Sequence, residues 1–407
     1  MTPGVGQALR PHFPAFAHQP PPFHYLDNAA TAQICAPAAE ALLRFETRTR
    51  ANVKRGVHRL ADAATTAFEG VRADLARYLG VADPDEVVLT TGTTAGLNIA
   101  ANGLRHRLGP GDEVLVTELE HHSDLVPWHL AAEATGATVR AIPVGEDGRL
   151  DLDRLGRVLN DRTRIVTVAH VSNVTGTVTD LPRLAAATHA VGAVLVVDGA
   201  QGAPHGPLDL PTLGCDLYAL SGHKMFGPTG SGALWGQMDL LAEMPPFMGG
   251  GEMIRRVTIE GSTFAPPPHR FEAGTPAIGP LIGMGAAARF LMTLDWNALR
   301  RHEARLTGRV LEGLAGIEGI RVFGPPAAPD RVGVVTFTVD GLHAHDVCQI
   351  LDAERGVALR GGHHCAQPLM GRFGLVASAR ASLAPYSDDD DVDALIEGLD
   401  DAIRRFR

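Results

Sequence analysis

The stretch "LYALSGHKMFGPTGSG", residues 217–232, decides how this chain is read. An apolar run ends at Ser221, and His223 and Lys224 follow at once in a glycine-rich loop. Such a run is a strand that delivers polar groups at its carboxyl end, the place where open α/β sheets bind ligands. A lysine there is either a surface charge or a desolvated amine suited to forming a Schiff base. The repeated glycines suggest that backbone comes close to a ligand.

Working outward, the same pattern recurs from about residue 85 to 235. "EVVLTTG", "DEVLVTE", "TVRAIPV", "RIVTVAHVS" and "AVLVVDGA" are rich in Val, Ile and Leu and are bounded by Gly, Asp or Ser, as strands are. Several are apolar on both faces, which fits a parallel sheet covered on both sides. "TTAGLNIAANGLRHRL" and "LPRLAAATHAV" between them carry helical spacing. The fold class is therefore α/β, a doubly wound, mostly parallel sheet. The tail differs. "RVGVVTFTV" reads as a half-buried strand and "SDDDDVDALIEGLDDAIRRFR" as an amphipathic helix, with Val392, Leu395, Ile396, Leu399 and Ile403 on one face and Ser387 as cap. A boundary near residue 295 divides a large domain, 30–295, from a smaller α+β one built from 1–29 and 296–407.

The 407 residues suffice for two domains. A net charge of −10 argues against nucleic acid or an anionic membrane as partner. The first 25 residues, broken by Pro and His, lack a signal peptide's apolar core and read as a loose, partly polyproline-like arm. Four scattered cysteines without a CxxC pair indicate a reducing, cytoplasmic setting. Cys35, Cys215 and Cys348 read as core residues.

Three strand ends carry chemistry. "VVLTTGTTAGLN" runs through Gly92, Thr93 and Thr94 into a helix, whose free N–H groups favour an anion; a plain threonine cap is the alternative. "VLVVDGAQG" ends in Asp198, three residues before Gln201, and "TELEHHSDLVPW" supplies His121. A phosphate cradle, a carboxylate and a lysine on one sheet edge are what pyridoxal 5′-phosphate requires, with an aromatic ring to lie on it. In "LRGGHHCAQPLM", residues 359–370, Cys365 could be a metal ligand, a nucleophile or a small buried residue. Gly361 and Gly362 suggest a mobile loop, and His364 is a candidate for proton handling.

"HYLDNAATAQ", "TTGTTAGLN", "EHHSDLVPW", "HVSNVTGT", "VDGAQG", "SGHKMFGPTG", "FEAGTP" and "RGGHHCAQPLM…ARASLAPY" occur in the order of the group II cysteine desulfurases of the SufS and CsdA type. The chain resembles that group of class V aminotransferase-fold enzymes over roughly residues 24–405. The resemblance implies fold type I, pyridoxal phosphate and a homodimer. It makes Lys224 the Schiff-base lysine, Asp198 the partner of the pyridine nitrogen, Gln201 that of the phenolic oxygen, and His121 the stacking ring. Asn173 is implied near the cofactor oxygen and the substrate. Thr93, Thr94, Ser221 and His223 fall at the phosphate, which Thr275 completes from the other subunit. Arg380 is implied to hold the substrate carboxylate, Arg360 to stand at the entrance, and Cys365 to accept sulfur from L-cysteine. A protein of the SufE, SufU or CsdE type would then take the sulfur. Selenocysteine lyase, another class V aminotransferase and a metal-binding regulator are rival readings. "ANVKRGVHRL" departs from the group's pattern, with Lys54 where His is common, as do Gly361 and Ala277.

Overall fold

A computed structural model describes residues 4–326 and 329–406. The seven strands of the large sheet are β1 (Val87–Thr90), β2 (Glu113–Thr117), β3 (Thr138–Ile142), β4 (Thr163–Ala169), β5 (Val194–Asp198), β6 (Leu217–Ser221) and β7 (Gly232–Gly236). Their order is β1-β7-β6-β5-β4-β2-β3, and only β7 runs antiparallel to its neighbours. The six strands expected between about residues 85 and 235 all lie in this sheet. The seventh, β7, was not anticipated; it enters between β1 and β6 and closes the loop after Lys224 back onto the sheet.

The period of two along β5 shows why these runs are apolar throughout. Leu195 and Val197 belong to the core on one face, and Val194 and Val196 to the core on the other. Every strand end that carries chemistry is thus anchored from both sides. Behind β1 the helix α1 (Thr93–Leu104) begins at Gly92, whose φ of 149° suits glycine. A Cβ on Gly232 would stand 2.4 Å from Gly92 Cα, so the absence of a side chain there lets the start of α1 close onto β7.

Helix α2 (Ile278–Leu291) packs on the large sheet's core, and Asp295 caps the following helix α3 (Trp296–Ala315) through Asn297 and Ala298 N–H groups. Beyond it lies a four-stranded antiparallel sheet of β8 (Ile320–Phe323), β9 (Val334–Val339), β10 (Arg360–Gly362) and β11 (Ser378–Ser382), ordered β8-β9-β11-β10. Helices α4 (Ala344–Arg355) and α6 (Asp389–Phe406) cover it, and α5 (Gln367–Phe373) follows β10. Val392, Leu395, Leu399 and Ile403 of α6 are buried with Val335 and Phe337, as the amphipathic spacing requires, and Ile396 packs at the edge.

Four expectations need correcting. The N-terminal arm is not loose. It makes helical turns at Val5–Leu9 and Ala15–His18, Phe13 is buried edge-on against Tyr386 and Phe226, and Arg10 pairs with Asp388 and Asp391. Strand β9 is almost wholly buried rather than half-buried, because α3 and its fellow helices cover it. Ser387 does not cap α6. Its Oγ accepts from Ala384 N–H, while Asp388 accepts from Asp391 N–H at the helix start. Gly361 and Gly362 are not a loop but lie in β10, paired with Ala379 and Ser378. A Cβ on Gly361 would meet His345 at 2.7 Å, so close packing on α4 accounts for glycine there.

Candidate active site

The carboxyl ends of β2, β4, β5 and β6, the start of α1 and strands β10 and β11 surround one cleft of about 750 Å³, its mouth included. That volume falls within the range of small-molecule sites, roughly 300–1,000 Å³. Its walls carry Thr93, Thr94, His121, Asn173, Asp198, Gln201, Ser221, His223, Lys224, Arg360 and Arg380. Thr275 is apart from it, exposed on the surface of the single chain. Cys365 follows His364, a cleft residue. It is half-buried and close enough to Lys224 and Arg380 to act on their charges.

Lys224 ends the short 3₁₀ turn after β6. Among the described residues its ammonium has no hydrogen bond or ion pair, so burial decides its behaviour. Desolvation pulls it down to about 8; Arg380 and Arg360 pull the same way, while Asp198 and Cys365 oppose. Asp198, at the tip of β5, accepts from Ala200 N–H at 2.9 Å and is 4% exposed. Burial raises its carboxyl, and Lys224 works against that rise. One carboxylate oxygen thus serves the turn, as an ordinary cap would, and the group still lines the cleft.

His121 Nδ1 accepts from Ser123 N–H at 3.1 Å and lies 2.7 Å from Ser123 Oγ. The neutral ring therefore carries its proton on Nε2. Burial, with Lys224 next, lowers its basicity to about 3, so the ring is neutral at physiological pH. Gln201 donates to Ala29 O at 2.6 Å. At the start of α1, Thr93 N–H donates to Ser221 Oγ at 2.8 Å and the two hydroxyls lie 2.7 Å apart. The cap position itself is Gly92 and has no side-chain bond. The first-turn amides beyond Thr93 lack intrahelical acceptors and, with the helix dipole, favour an anion. His223, held at 3.1 Å from Thr31 Oγ1, is lowered to about 4 by burial and then Lys224.

Two arginines oppose each other across the β10–β11 ladder, Arg360 facing Arg380. Arg380 is 1% exposed. Its Nη1 donates to Asn173 O at 2.8 Å and its Nη2 to Asp27 at 3.2 Å, while its buried Nε has no partner. Arg360 has no ion pair among the described residues. Asn173 also donates to His364 O at 2.8 Å and so ties the cleft to the Cys365 segment. His364 and Cys365 have φ of 53° and 55°, two successive left-handed residues without glycine. Their flanks are fixed by β10 on one side and by Leu369 and Met370 of α5, buried against Leu119 and Val174, on the other. His364 Nε2 is held by Ser378, and burial lowers the ring to about 3, which deprives it of a cationic form for proton donation.

Pyridoxal phosphate fits these residues on the structure's own terms. The helix start, Ser221 and Thr94 offer a phosphate its donors, the unpartnered Lys224 an amine, Asp198 a buried carboxylate, and His121 a neutral ring. Among the described residues, no group of three or more His, Cys, Asp or Glu is placed to hold a metal ion. Asp27 escaped the sequence reading although it lies in "HYLDNAATAQ"; an acid in that segment was the available signal. Lys54 is turned away from this chemistry, 3.0 Å from His269 and 3.5 Å from Glu272. His343 caps α4 through His345 N–H.

The class-V aminotransferase model matches residues 24–395. A probable cysteine desulfurase of Streptomyces coelicolor is 42% identical over 408 residues, covering 98% of this chain and 97% of its own. The crystal structure of the Escherichia coli cysteine desulfurase CsdA, in an S-sulfonic acid form, superposes with a TM-score of 0.92 at 39% identity, covering 99% of both chains. A C-DES lysine mutant with glycine covalently linked to its PLP cofactor superposes at 0.83 with 26% identity, over 98% of this chain and 100% of that one. The fold, the cleft and these similarities agree: the chain belongs to the class-V aminotransferase family, and within it to the cysteine desulfurases.

Proposed function

We propose that the protein is a pyridoxal phosphate-dependent cysteine desulfurase that releases L-alanine from L-cysteine and keeps the sulfur as a persulfide on Cys365. One observation carries the reading. An unpartnered lysine, a buried carboxylate and an arginine with an orphaned N–H converge on one cleft, with a half-buried thiol beside it.

When bound, pyridoxal phosphate supplies an aldehyde for the amine and a ring that withdraws electrons from the substrate's α-carbon. Thr93, Thr94, Ser221 and His223 would hold its phosphate, with Thr275 of the partner subunit in a homodimer. Asp198 would pair with its ring nitrogen, Gln201 and Asn173 with its phenolic oxygen, and His121 would supply the ring that lies on it. Lys224, drawn down to about 8, is a free amine in enough molecules near neutrality to take the α-proton and return it. Arg380, with its free Nε, binds the substrate carboxylate, and Arg360 adds positive charge at the entrance. The Cys365 thiolate attacks the substrate's sulfur. A sulfur–sulfur bond forms, the carbon–sulfur bond breaks with its electron pair left on carbon, and a proton there completes alanine. The persulfide's outer sulfur then passes to a thiolate of an acceptor protein of the SufE, SufU or CsdE type, Cys365 leaving as the thiolate, in iron–sulfur assembly or another sulfur-trafficking route.

Residues 30–295 form the cofactor-binding domain in this reading, and 1–29 with 296–407 the small one. Leu26 of the N-terminal arm joins the small sheet's core, in line with this division, whereas Phe13 joins the large one's. Among the described residues, no helix is long and apolar enough to cross a membrane, and the scattered free cysteines favour a cytoplasmic site. The test is incubation with L-cysteine and a reductant, measuring alanine and sulfide together. Equal amounts are expected. In Cys365→Ser both are lost while the cofactor's visible absorption stays, and full turnover by that variant would remove Cys365 from the mechanism.

A further inference from the structure

The turn that presents His121 also carries two carboxyl groups for which the mechanism has no use. Glu120 and Asp124 are 1% and 0% exposed. Among the described residues neither has a cationic partner. Glu120 Oε1 accepts from Thr117 Oγ1 at 2.5 Å; Asp124 Oδ1 accepts from Thr167 Oγ1 at 2.6 Å and from Trp128 Nε1 at 3.2 Å. The second oxygen of each, Glu120 Oε2 and Asp124 Oδ2, is buried without a partner.

Two unpaired anions cannot be retained in such a place, because desolvation of each goes uncompensated. A third carboxyl, Asp198, acts on both and makes double ionisation worse. The donor that resolves both orphaned oxygens at once is a proton between them. We propose that Glu120 and Asp124 share a single proton in one hydrogen bond, Glu120 as neutral donor and Asp124 as acceptor, and that this pair positions the His121 turn and sets a negative charge behind Asp198.

The surroundings agree. Burial holds Glu120 well above the usual carboxylate range, and burial followed by Asp198 raises Asp124 to about 7. The groups facing the pair are therefore each other and Asp198, with the hydroxyls of Thr117 and Thr167 and the indole of Trp128 as neutral donors. His121 lies between the two acids in sequence, and its carbonyl accepts from Asp124 N–H at 2.8 Å. The next residue, His122, donates its N–H to Cys365 O at 2.8 Å, so the same turn also anchors the thiol segment. A charge on Asp124 favours positive charge on whatever faces Asp198. This second role rests on the desulfurase reading, whereas the shared proton does not.

Infrared spectroscopy of the full-length, cofactor-loaded protein tests the pair without turnover. Above about 7 the wild type should show a protonated carboxylic acid band that Glu120→Gln loses. As pH falls through about 7 that band should grow in the wild type and stay constant in Asp124→Asn, which keeps the fold's hydrogen-bonding shape but cannot take the second proton. A wild type without the band, or a band unchanged in Glu120→Gln, overturns the shared proton; if Glu120→Gln does not fold, the missing growth in Asp124→Asn decides alone. For the charge behind Asp198, the pH titration of the cofactor's visible absorption should move to lower pH in Asp124→Asn. An unmoved titration overturns that role even where the infrared result stands.

Discussion

Arg72 and Arg380 are 2% and 1% exposed, and the chain treats them in opposite ways. Arg72 is fully partnered. Its Nε bonds Glu69, its Nη1 bonds Val87 O and Glu272 Oε1, and its Nη2 meets Glu272 Oε2 at 2.5 Å. Leu89 N–H and Lys54 complete the shell of Glu272, which His269 and Arg72 help draw down to about 2 against its burial. Arg380 keeps a buried Nε without a partner, faces another arginine across the ladder, and is lowered to about 10 by burial. Burial alone therefore does not explain the incomplete pairing, since the same chain satisfies an equally buried arginine elsewhere. The cleft holds an excess of positive charge, from Arg360, Arg380 and Lys224, that an anionic substrate would complete.

The sharpest break of this contrast is at Lys224, the cation with no partner. Lys224→Ala should lower alanine formation by about 10³–10⁴-fold and abolish the visible absorption of the cofactor's imine. The fold should persist, because nothing in the chain depends on the lysine for pairing. Glu272→Gln breaks the other member of the comparison. It leaves Arg72 buried with the part-exposed Glu69 as its remaining anion, at a cost of up to about 3–5 kcal/mol in denaturant unfolding. Alanine formation below the unfolding transition should stay within a few-fold, and a loss matching that of Lys224→Ala would mean that the two regions are one functional unit.

A smaller effect is expected for Arg380→Lys. The ammonium keeps the charge but loses the planar fork, so kcat/KM should fall by about 10²-fold, chiefly through KM. Stability should change by no more than about 1–2 kcal/mol, since the bonds of the fork to Asn173 O and Asp27 are weakened while an orphaned Nε is removed. A loss of several kcal/mol in unfolding would show that Arg380 is a structural ion-pair residue like Arg72.

The contrast was only half legible in the sequence. Asp198 and Ser221 were visible because each ends an apolar run followed by glycine, a local signal that covered strands preserve, and Lys224 because it follows Ser221 at once in the loop. Strand β7, "GALWG", was not, because a five-residue run between glycines looks the same as part of a loop until β1 and β6 flank it. Asp27 and the pairing of Arg380 were hidden for another reason. The two residues are 353 positions apart, and only the return of β11 to the N-terminal segment joins them. The Gly361–Gly362 pair misled by suggesting flexibility where Gly361 lacks a side chain to admit α4 and Gly362 takes a φ of 132° within the strand. The acids beside His121 had no sequence signal, since their state depends on the missing cation around them.

The subtlest test asks how much stability the unpartnered lysine removes. Its ammonium is lowered from 10.5 to about 8 by burial, so the unfolded chain binds more protons than the folded one between those values. Forcing the charge into the cofactor-free fold is therefore a full penalty below about 8, and the penalty fades as pH rises towards 10.5. Replacing the group with an uncharged side chain of similar length should remove it. Cofactor-free Lys224→Met is expected to exceed the wild type by about 1–3 kcal/mol near neutrality, with the difference shrinking at higher pH. Denaturant unfolding of both proteins across that range measures it. A difference that grows with pH, or a variant less stable at neutrality, would mean that Lys224 is partnered in the folded protein and that the asymmetry with Arg72 is false.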